Sequence, residues 1–419
     1  MSDQATAETI EAVWRLESTR LIAGLVRMVR DVGLAEDLAQ DAMVAALAQW
    51  PSDGIPNNPG AWLMTTAKRR AVDLFRRRER GDRAYRAVAQ EVTDEVNEDT
   101  ILAALDHVED DVLRLMFVCC HPSLTPEAQT TLTLRLVAGL TAREIARAYL
   151  TTESTVAQRL VRAKKTLARA GAALEEPSEA ARAERLGTVL SVIYLLFNEG
   201  YAATTGPDWA RPALCAEGLR VGRILVALVP GHAEARGLLA LMELQSSRLR
   251  ARVGADGEPV LLADQDRTRW DAGHLARGLR ILAQAEALTD DPGPYALQAA
   301  IAACHARAAS TSETDWIRIA ALYERLARQT GSAVVEVNRA VALGMAYGPE
   351  AGLRLVDQLT DVPALRDYHL LPSVRGDLLA RLGRHAEARA EFARAAQLAG
   401  NERERALLSE RARRPDEKP

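Results

Sequence analysis

Aromatic residues and cysteines are both scarce in this chain of 419 residues. Aromatic side chains make up 4% of it, and alternating runs of Val, Ile and Thr are few, which argues against a β-sandwich or a barrel. Four cysteines in so long a chain exclude a disulfide scaffold and favour a reducing compartment. We find neither a basic-then-apolar leader nor an apolar run of membrane-spanning length, so we expect a cytoplasmic protein that does not enter a membrane.

A strong net charge is absent as well. The formal net charge is −4 and the isoelectric point is about 6.1, which gives no overall attraction to nucleic acids. Residues 1–175 hold 22 basic and 25 acidic residues, so any contact with DNA must come from local patches. Two such patches exist: residues 68–83 carry eight basic and three acidic residues, and residues 152–169 carry five basic and one acidic.

Alanine, leucine and arginine dominate the sequence, and this composition favours helices. With 48% hydrophobic residues, the chain is long enough to bury the cores of two to four domains. We predict an all-α fold of two small helical domains followed by a helical-repeat domain. The predicted segments are a first domain at 1–84, an acidic linker at 85–104, a second domain at 105–175 and an extension at 176–419.

Residues 140–165, LTAREIARAYLTTESTVAQRLVRAKK, have the pattern of a helix-turn-helix. Their apolar residues fall at spacings that bury one side of each helix: Leu140, Ile145, Ala146, Leu150, Val156 and Leu160. Thr152 and Ser154 begin the second helix, whose first turn would enter a major groove. We predict that Gln158 and Arg162 read base edges, because amide and guanidinium groups pair bidentately there. The predicted phosphate contacts are Arg159, Lys164 and Lys165.

An acidic helix is predicted over residues 35–50, AEDLAQDAMVAALAQW, with Glu36 and Asp37 in its first turn. Asp37 and Asp41 are four residues apart, so their carboxylates share one face. This face is either a binding surface or a solvated acidic face beside a buried stripe. The predicted buried stripe consists of Leu38, Ala42 and Leu47.

A basic helix is predicted from about residue 61 to residue 83, after the loop PNNPG. It begins with Trp62, and Val72, Leu74 and Phe75 anchor it to a core. The alternative to a nucleic-acid contact is a basic face turned to water. Its basic residues include Lys68, Arg69, Arg70 and Arg76.

The segments AEDLAQDAMVAALAQW, NNPGAWLMTTAKRRAVDLFRRR and GLTAREIARAYLTTESTVAQRLVRAKK resemble, in order and spacing, bacterial extracytoplasmic-function (ECF) sigma factors. The resemblance implies that the first docks on the clamp of core RNA polymerase, the second melts and reads the −10 DNA, and the third reads the −35 element. It therefore implies that Asp37, Gln40 and Asp41 face the clamp helices of the β′ subunit. The residues that it implies beside the −10 strand are Trp62, Lys68, Arg69, Arg70 and Arg76.

Opening a promoter without ATP requires single-stranded bases to be captured while basic side chains hold the backbone. An aromatic ring beside a basic helix supplies both a surface for capturing a base and positive charges for holding the backbone. The partners that the resemblance implies are core RNA polymerase, through its β and β′ subunits, and promoter DNA. We expect no cofactor, no metal and no catalytic residue, because no nucleophile–base pair, phosphate loop or metal signature is present.

The cysteine pair Cys119-Cys120 is followed directly by His121, which raises the possibility of a metal site. Tetrahedral sites use spaced ligands, and no second cysteine pair lies nearby. We favour buried thiols behind a helix end over metal binding or redox sensing.

The extension beyond residue 176 has features of helix pairs. Leu382-Gly383, Glu387-Ala388, Phe392 and Ala395 resemble the second-helix pattern of a tetratricopeptide repeat. The turn at Gly348-Pro349 precedes it by one repeat length. Two further helix pairs are predicted to turn at PGH, from residue 230, and at PGP, from residue 292.

Two stretches of the extension, YLLFNEGY and LLADQDRTRW, differ from plain repeats. YLLFNEGY is either a functional segment or the packed end of a helix. LLADQDRTRW is either a functional loop or a loop whose polar residues form helix caps and internal salt bridges. Both resemble the ECF sigma factors with a fused tetratricopeptide-like domain, in which the extension replaces a separate anti-sigma protein. The regulatory residues expected from these stretches are Tyr194, Phe197, Asn198, Glu199, Tyr201, Asp264, Asp266, Arg267 and Trp270.

Two other functions remain possible from the sequence. A helix-turn-helix activator or repressor with a helical sensor would need no −10-melting helix, so the segment from Trp62 argues against it. An enzyme would use Glu199, Asp264 and Asp266 as carboxylates, but residues so far apart in sequence cannot be placed together by pattern alone.

Overall fold

The computed structural model describes residues 3–78, 108–149, 151–172, 179–201, 210–254, 258 and 260–413, with only the backbone at a few helical positions. The chain divides into two compact units, Met1–Leu195 and Leu196–Pro419. In the described ranges the regular structure is helical, which confirms the all-α prediction. The predicted acidic linker at 85–104 lies outside the described residues, and the predicted domain boundaries stay predictions.

The first unit has two groups of helices. In the first group, α1 packs against α2 and α3, and α4 of the second group packs on α1. Helix α5 continues into a short π-helical turn, Thr133–Val137. The bounds are α1 Asp3–Val29, α2 Val32–Asp53, α3 Pro59–Arg78, α4 Val108–Cys119, α5 Pro126–Leu132, α6 Ala142–Ala148 and α7 Glu153–Ala170.

Side-chain caps determine where the two predicted functional helices begin. The Asp31 carboxylate accepts the N–H of Leu34 at 2.8 Å, so α2 starts at Val32. The prediction that Glu36 and Asp37 lie in the first turn is therefore wrong, because this cap sets the helix start earlier. Thr152 caps α7 by accepting the N–H of Thr155 at 3.2 Å.

The helix-turn-helix is present as α6 and α7. Ile145, Ala146, Val156 and Leu160 are buried, as their spacing predicted, and Leu140 is partly buried. The sixth apolar residue, Leu150, lies outside the described residues.

Cys119 and Cys120 are buried at the end of α4, which confirms the prediction of buried thiols. Burial raises the pKa of the Cys120 thiol to about 12, so the thiol stays protonated and unreactive at neutral pH. The His121 Nδ1 lies 2.8 Å from the Ser123 hydroxyl oxygen. Within the described ranges, no group of three or more His, Cys, Asp or Glu residues is arranged to hold a metal ion.

Helix α8, Glu179–Tyr201, contains the division between the two units. In the second unit each helix packs on the next along the chain. Short 3₁₀ turns at Leu249–Ala251, Leu262–Asp264 and Arg267–Arg269 interrupt this succession, and another follows at Pro363–Leu365. The bounds are α9 Pro212–Leu228, α10 Ala233–Ser246, α11 Ala272–Glu286, α12 Pro294–Arg307, α13 Trp316–Thr330, α14 Ala333–Ala346, α15 Pro349–Leu359, α16 Leu370–Arg381, α17 His385–Leu398 and α18 Glu402–Arg413.

All four predicted turns of the extension join successive helices. Two of them rest on glycines in the left-handed region: Gly348 with φ 94° before α15, and Gly383 with φ 75° before α17. Ala388, Phe392 and Ala395 of α17 are buried in the core of this part of the unit. Among the described helices, none is long and apolar enough to cross a membrane.

Candidate functional site

Helix α2 presents an exposed face that is acidic at one end and apolar at the other. Asp37 and Asp41 are exposed, and Gln40 beside them is partly exposed. One turn further on, Val44 is 61% exposed and Leu47 is 46% exposed. The prediction that Leu47 belongs to the buried stripe is therefore wrong, because the core side of α2 is formed by smaller alanines instead. Charged and apolar groups side by side on one helix face are typical of a protein-binding surface.

The acidity of this face also alters the pKa of Asp37. Partial burial, together with repulsion from Glu36, Asp41 and Asp31, raises the pKa of Asp37, although Lys164 acts in the opposite direction. A basic partner would relieve this repulsion.

Helix α3 carries the predicted −10 residues, and these residues differ in how far they are exposed. Arg69 is exposed, and Arg70 makes a long, exposed ion pair of 3.6 Å with Asp41 of α2. The Trp62 ring lies edge-on to Trp50 with 5.2 Å between ring centroids, so it is held against the core. For Arg76 only the helical backbone is described.

Lys68 was expected beside the −10 strand, but it is 6% exposed. Its side chain is packed into the first unit, so in this structure it does not contribute to the basic surface. The periodicity of α3 explains this position: Lys68 lies one and two turns before the buried Ala71, Val72 and Phe75, on the inner side of the helix.

Most of the predicted −35 residues lie on one exposed face of α7. This face also contains Val161, which is 52% exposed and which the sequence reasoning missed, although an apolar residue outside the buried periodicity was a visible signal. Arg159 is only partly exposed, and its Nη1 donates to the Thr131 hydroxyl at 3.4 Å. The exposed residues are Thr152, Ser154, Gln158, Arg162 and Lys165.

Lys164, in contrast, is bound within the first unit. Its Nζ lies 2.5 Å from Oε2 of Glu36 on α2, and the Nε of Arg135 lies 2.6 Å from Oε1 of the same carboxylate. Gln40 also donates to Glu36 at 2.8 Å. The Glu36 side chain is only 4% exposed. Burial alone would raise the pKa of Glu36, but Arg135 and Lys164 outweigh it and hold that pKa below its ordinary value.

Two further contacts join the same parts of the first unit. The Thr19 hydroxyl donates to the carbonyl oxygen of Val137 at 2.8 Å in a buried environment. Arg27 and Asp111 form an ion pair at 3.3 Å. The helices α1 and α2 are thus fastened to the segment that carries the helix-turn-helix. We call the contacts of Glu36 with Lys164 and Arg135 the Glu36 junction.

The YLLFNEGY stretch forms the end of α8, and its residues from Leu196 onward belong to the second unit. Phe197 and Tyr201 are buried and stack with 5.9 Å between ring centroids. Glu199 pairs with Arg211 at 2.6 Å, and Asn198 is partly buried. This is a packed helix end. Tyr194 belongs to the first unit and is partly buried.

The LLADQDRTRW stretch is a connection held by its own polar groups. The Asp266 carboxylate accepts the N–H and the hydroxyl of Thr268, at 2.9 and 2.6 Å. Arg267 donates to the carbonyl oxygens of His305 and Ala308, at 2.6 and 2.5 Å, and so caps the end of α12. These contacts support the capping interpretation. Trp270 is buried, whereas Asp264 is exposed.

A second buried carboxylate, which the sequence reasoning missed, lies in the same unit. Glu243 of α10 has a side chain that is 1% exposed and contacts Arg223, His274 and Arg277, at 2.7, 2.7 and 3.2 Å. Burial would raise the pKa of Glu243, but the hydrogen bonds from these three groups outweigh it and lower that pKa.

Comparison with known families matches both parts of the first unit. Residues 14–81 match Sigma-70 region 2, and residues 114–167 match Sigma-70, region 4. Residues 185–286 match a family of unknown function, DUF6596. The two sigma-70 regions define a sigma factor, a class of non-enzymatic transcription initiation factors with a helix-turn-helix that binds DNA.

Among curated proteins, the "Uncharacterized protein R00370" of Rhizobium meliloti (strain 1021) is 43% identical over 391 residues, covering 92% of this chain and 91% of its own. The "ECF RNA polymerase sigma factor SigK" of Mycobacterium ulcerans (strain Agy99) is 29% identical over 149 residues, covering 34% and 74%. The "Probable ECF RNA polymerase sigma factor SigI" of Mycobacterium tuberculosis (strain ATCC 25618 / H37Rv) is 27% identical over 168 residues, covering 38% and 54%. The chain belongs to the family of R00370, with which it shares nearly its whole length.

Proposed function

We propose that this sigma factor docks on core RNA polymerase through α2, reads its promoters through α3 and α7, and is controlled by its own helical extension rather than by a separate anti-sigma protein. The observation that carries the proposal is the pair of exposed faces in the first unit. Asp37, Asp41, Val44 and Leu47 form one on α2, and Gln158, Arg162 and Lys165 belong to the other on α7.

The face on α2 suits the clamp helices of the β′ subunit. Exposed carboxylates steer a basic partner into place, and burying the apolar Val44 and Leu47 would supply affinity. Gln40 donates one N–H to Glu36, so its second N–H and its carbonyl oxygen are left for a partner. The raised pKa of Asp37 is consistent with an acidic face that a basic partner would stabilise.

The promoter would be read in two places. On α7, Gln158 and Arg162 have the groups that pair bidentately with purine edges, and Lys165 would hold a phosphate. On α3, Arg69 and Arg70 would hold the −10 backbone beside Trp62. Because Lys68 is buried, the proposal for the −10 strand rests mainly on the two arginines.

The Glu36 junction adds a step to this proposal. Lys164 cannot neutralise a DNA phosphate while its ammonium lies 2.5 Å from the Glu36 carboxylate. We infer that the junction opens when the first unit engages polymerase, which frees Lys164 for the −35 DNA. Breaking a buried pair is costly, so the binding free energy of the polymerase must exceed that cost.

We propose a tetratricopeptide-like architecture for the extension. The pairs α14–α15 and α16–α17 support it, each turning on a left-handed glycine. A close helix crossing also supports it, because a Cβ on Gly376 would lie 2.7 Å from the Phe392 ring. Helix pairs of this kind stack into curved surfaces that bind partners.

Run-off transcription with purified core polymerase tests the proposal. The full chain is compared with a truncation ending at Glu176, on promoter DNA selected by binding to the holoenzyme. We expect the full chain to direct initiation and the truncation to differ from it in yield. If the full chain directs no initiation, the sigma proposal fails and a helix-turn-helix activator or repressor replaces it. Equal yields would show that the extension does not control initiation.

The docking face is tested by Asp37→Arg, with Asp53→Arg at the exposed end of the same helix as its control. We expect Asp37→Arg to abolish assembly with core polymerase in a gel-filtration assay, because it places a like charge against a basic partner. Asp53→Arg should assemble normally. Normal assembly of Asp37→Arg would show that polymerase docks elsewhere.

A further inference from the structure

Glu243 on α10 brings together two arginines from different helices. Helix α10 packs against both α9 and α11. Arg223 of α9 donates to Oε1 of Glu243 through its Nε at 3.2 Å and its Nη2 at 2.7 Å. Arg277 of α11 donates to Oε2 through its Nε at 3.2 Å. The two oxygens of one buried carboxylate therefore hold two guanidinium groups next to each other.

The charges of this group do not cancel. One guanidinium would neutralise the Glu243 carboxylate, whereas two lie there, and Glu243 is the carboxylate at ion-pair distance from both within the described residues. His274 is the third basic group, with its Nδ1 2.7 Å from Oε2. Asp271, which caps α11, interacts electrostatically with His274 and offsets its charge when it is protonated. The two arginines are thus left with a net positive charge.

Both arginines keep hydrogen-bond donors and are open to solvent. The side chains of Arg223 and Arg277 are 49% and 41% exposed, although the Glu243 side chain between them is 1% exposed. Arg277 uses its Nε for the carboxylate, and its two Nη groups make no hydrogen bond within the described part of the chain. The same holds for Nη1 of Arg223. The buried carboxylate therefore orients two guanidinium groups whose remaining N–H groups can bind an external anion.

A third arginine extends the basic surface along α10. Arg236 is seven residues before Glu243, so both lie on the same face of the helix, about 10 Å apart along its axis. Arg236 donates to Oε1 of Gln284 at 2.8 Å and to a backbone carbonyl oxygen at 3.0 Å. Both acceptors are uncharged, so neither contact neutralises it. We call the three arginines the extension's basic surface: Arg223, Arg236 and Arg277.

We propose that the extension's basic surface binds an acidic peptide segment of a partner protein. One carboxylate of the partner would accept the outer N–H groups of Arg223 and Arg277, and a second, about 10 Å away, would accept those of Arg236. Three residues of extended peptide span about 10 Å, so acidic residues three apart in sequence fit this surface. The inference goes beyond the proposed function, because it names a partner for the extension and is measured without transcription.

Two other kinds of ligand fit these observations less well. Nucleic acids bind surfaces with a large excess of basic residues, whereas residues 196–419 hold 29 basic and 29 acidic residues, and Glu243 already offsets part of the local charge. Small molecules bind in clefts that bury most of their surface, whereas these guanidinium groups lie open on the helices. A short acidic peptide needs few positive charges and can lie along an open surface.

Titration calorimetry of the full chain at low salt tests the proposal. The probe is a synthetic peptide, acetylated and amidated at its ends, that contains the sequence Glu-Ala-Ala-Glu; its counterpart has glutamine in place of both glutamates. We expect saturable binding of the glutamate peptide, about ten-fold or more weaker in Arg223→Gln and in Arg277→Gln. The matched control is Arg280→Gln, which removes the same charge from an exposed position one turn further along α11 and should bind like the wild type.

Circular dichroism checks that the variants fold, since Glu243 keeps one arginine and His274 in each of the first two. Arg236→Gln, whose contacts are exposed, supplies a second test that does not disturb Glu243. This variant should weaken the peptide with two glutamates and leave the binding of a peptide with one glutamate unchanged.

Four outcomes would overturn the proposal. The first is that the glutamate peptide does not bind, and the second is that its glutamine counterpart binds equally well. The third is that Arg277→Gln and Arg280→Gln bind the glutamate peptide equally well. The fourth is that acetate, or a single-stranded oligonucleotide, binds more tightly than the peptide and loses that binding in Arg277→Gln, which would assign the surface to a small anion or to a nucleic acid.

Discussion

Glu36 in the first unit and Glu243 in the second are both buried carboxylates surrounded by basic groups, but they join different kinds of neighbour. Glu243 on α10 binds Arg223 on the preceding helix and two residues of the following one. Glu36 on α2 binds Arg135 and Lys164, which are distant in sequence and belong to the segment matched by Sigma-70, region 4.

The ion pairs of Glu243 are therefore expected to stay formed, whereas the pair of Glu36 with Lys164 would have to break for the proposed DNA contact. The helices around Glu243 are successive along the chain and share a core, so no proposed step requires them to part. The helices joined by Glu36 carry two different binding faces, and one of its partners, Lys164, is itself a proposed DNA contact. The same side-chain chemistry therefore stabilises a fold in one unit and, by our proposal, a closed state in the other.

The largest effect is expected from Glu243→Gln. Removing this charge leaves three basic groups around a neutral amide, and losing one partner of a buried pair is strongly destabilising. Because Arg223 and Arg277 are 49% and 41% exposed, water compensates in part, and we expect a loss of about 2–3 kcal/mol in the free energy of unfolding. Urea denaturation followed by circular dichroism measures it.

The control for that variant is Glu217→Gln, which breaks a more exposed pair with Arg220 on α9. Its cost should stay below about 1 kcal/mol, as for other surface pairs. Equal losses in the two variants would mean that the burial of Glu243 adds nothing to its stabilising effect.

A smaller loss of stability is expected from Glu36→Gln, about 1–2 kcal/mol, because the two parts of the first unit can separate and water can then solvate Arg135 and Lys164. Separation should increase hydrogen exchange at amides of α2 and α7 under native conditions. Asp41→Asn, which removes an exposed pair with Arg70, is the matched control and should leave exchange unchanged. Unchanged exchange in Glu36→Gln would make this junction as fixed as the one at Glu243.

A further effect is a difference in acid sensitivity. The pKa values of Glu36 and Glu243 are held below the ordinary 4.5, so their stabilisation is present above that pH and is lost as the pH falls through the lowered values. His305 reduces the stability at a higher pH than the two carboxylates do. In the unfolded chain it takes up a proton near pH 6.5, whereas in the folded protein its pKa is lowered to about 4. Stability of the second unit should therefore begin to fall below pH 6.5.

His305→Phe should remove this early loss while keeping an aromatic contact with Trp316, whose ring centroid lies 5.2 Å away. Unfolding free energies between about pH 7 and about pH 3.5, a range that spans both protonation steps, measure the effect. A wild type and a His305→Phe variant with parallel pH curves would contradict it.

Local signals explain what the sequence could predict. The apolar spacing in residues 140–165 and the capping Thr152 require only neighbouring residues, so the helix-turn-helix was predicted correctly. The acidic face at Asp37 and Asp41 followed from the helical period in the same way. The position of Leu47 was predicted wrongly because the helical period fixes the edge of the buried face only to within about one residue. In the structure, small alanines fill the core side of α2 instead.

Signals that depend on distant residues were not accessible. Nothing near Glu36 in sequence shows that Arg135 and Lys164 would meet it, and nothing near Tyr201 points to Arg248. Lys68 was expected on the surface because lysines usually lie there, although its spacing of three and four residues from Ala71 and Val72 already put it on the inner side. The partners of Glu36 and Tyr201, in contrast, are decided by tertiary packing, which a pattern of residue types does not contain.

The Glu36 junction also constrains how this protein can evolve. Lys164 faces two selective pressures, one from a carboxylate within the same chain and one, by our proposal, from promoter DNA. A change at this position for the sake of a new promoter would leave Arg135 as the remaining basic partner of Glu36 in the junction, so substitutions at 36 and 164 should occur together among descendants. Gln158 and Arg162 are exposed on α7 and are not part of the junction, so they can diverge more freely as the set of controlled genes changes.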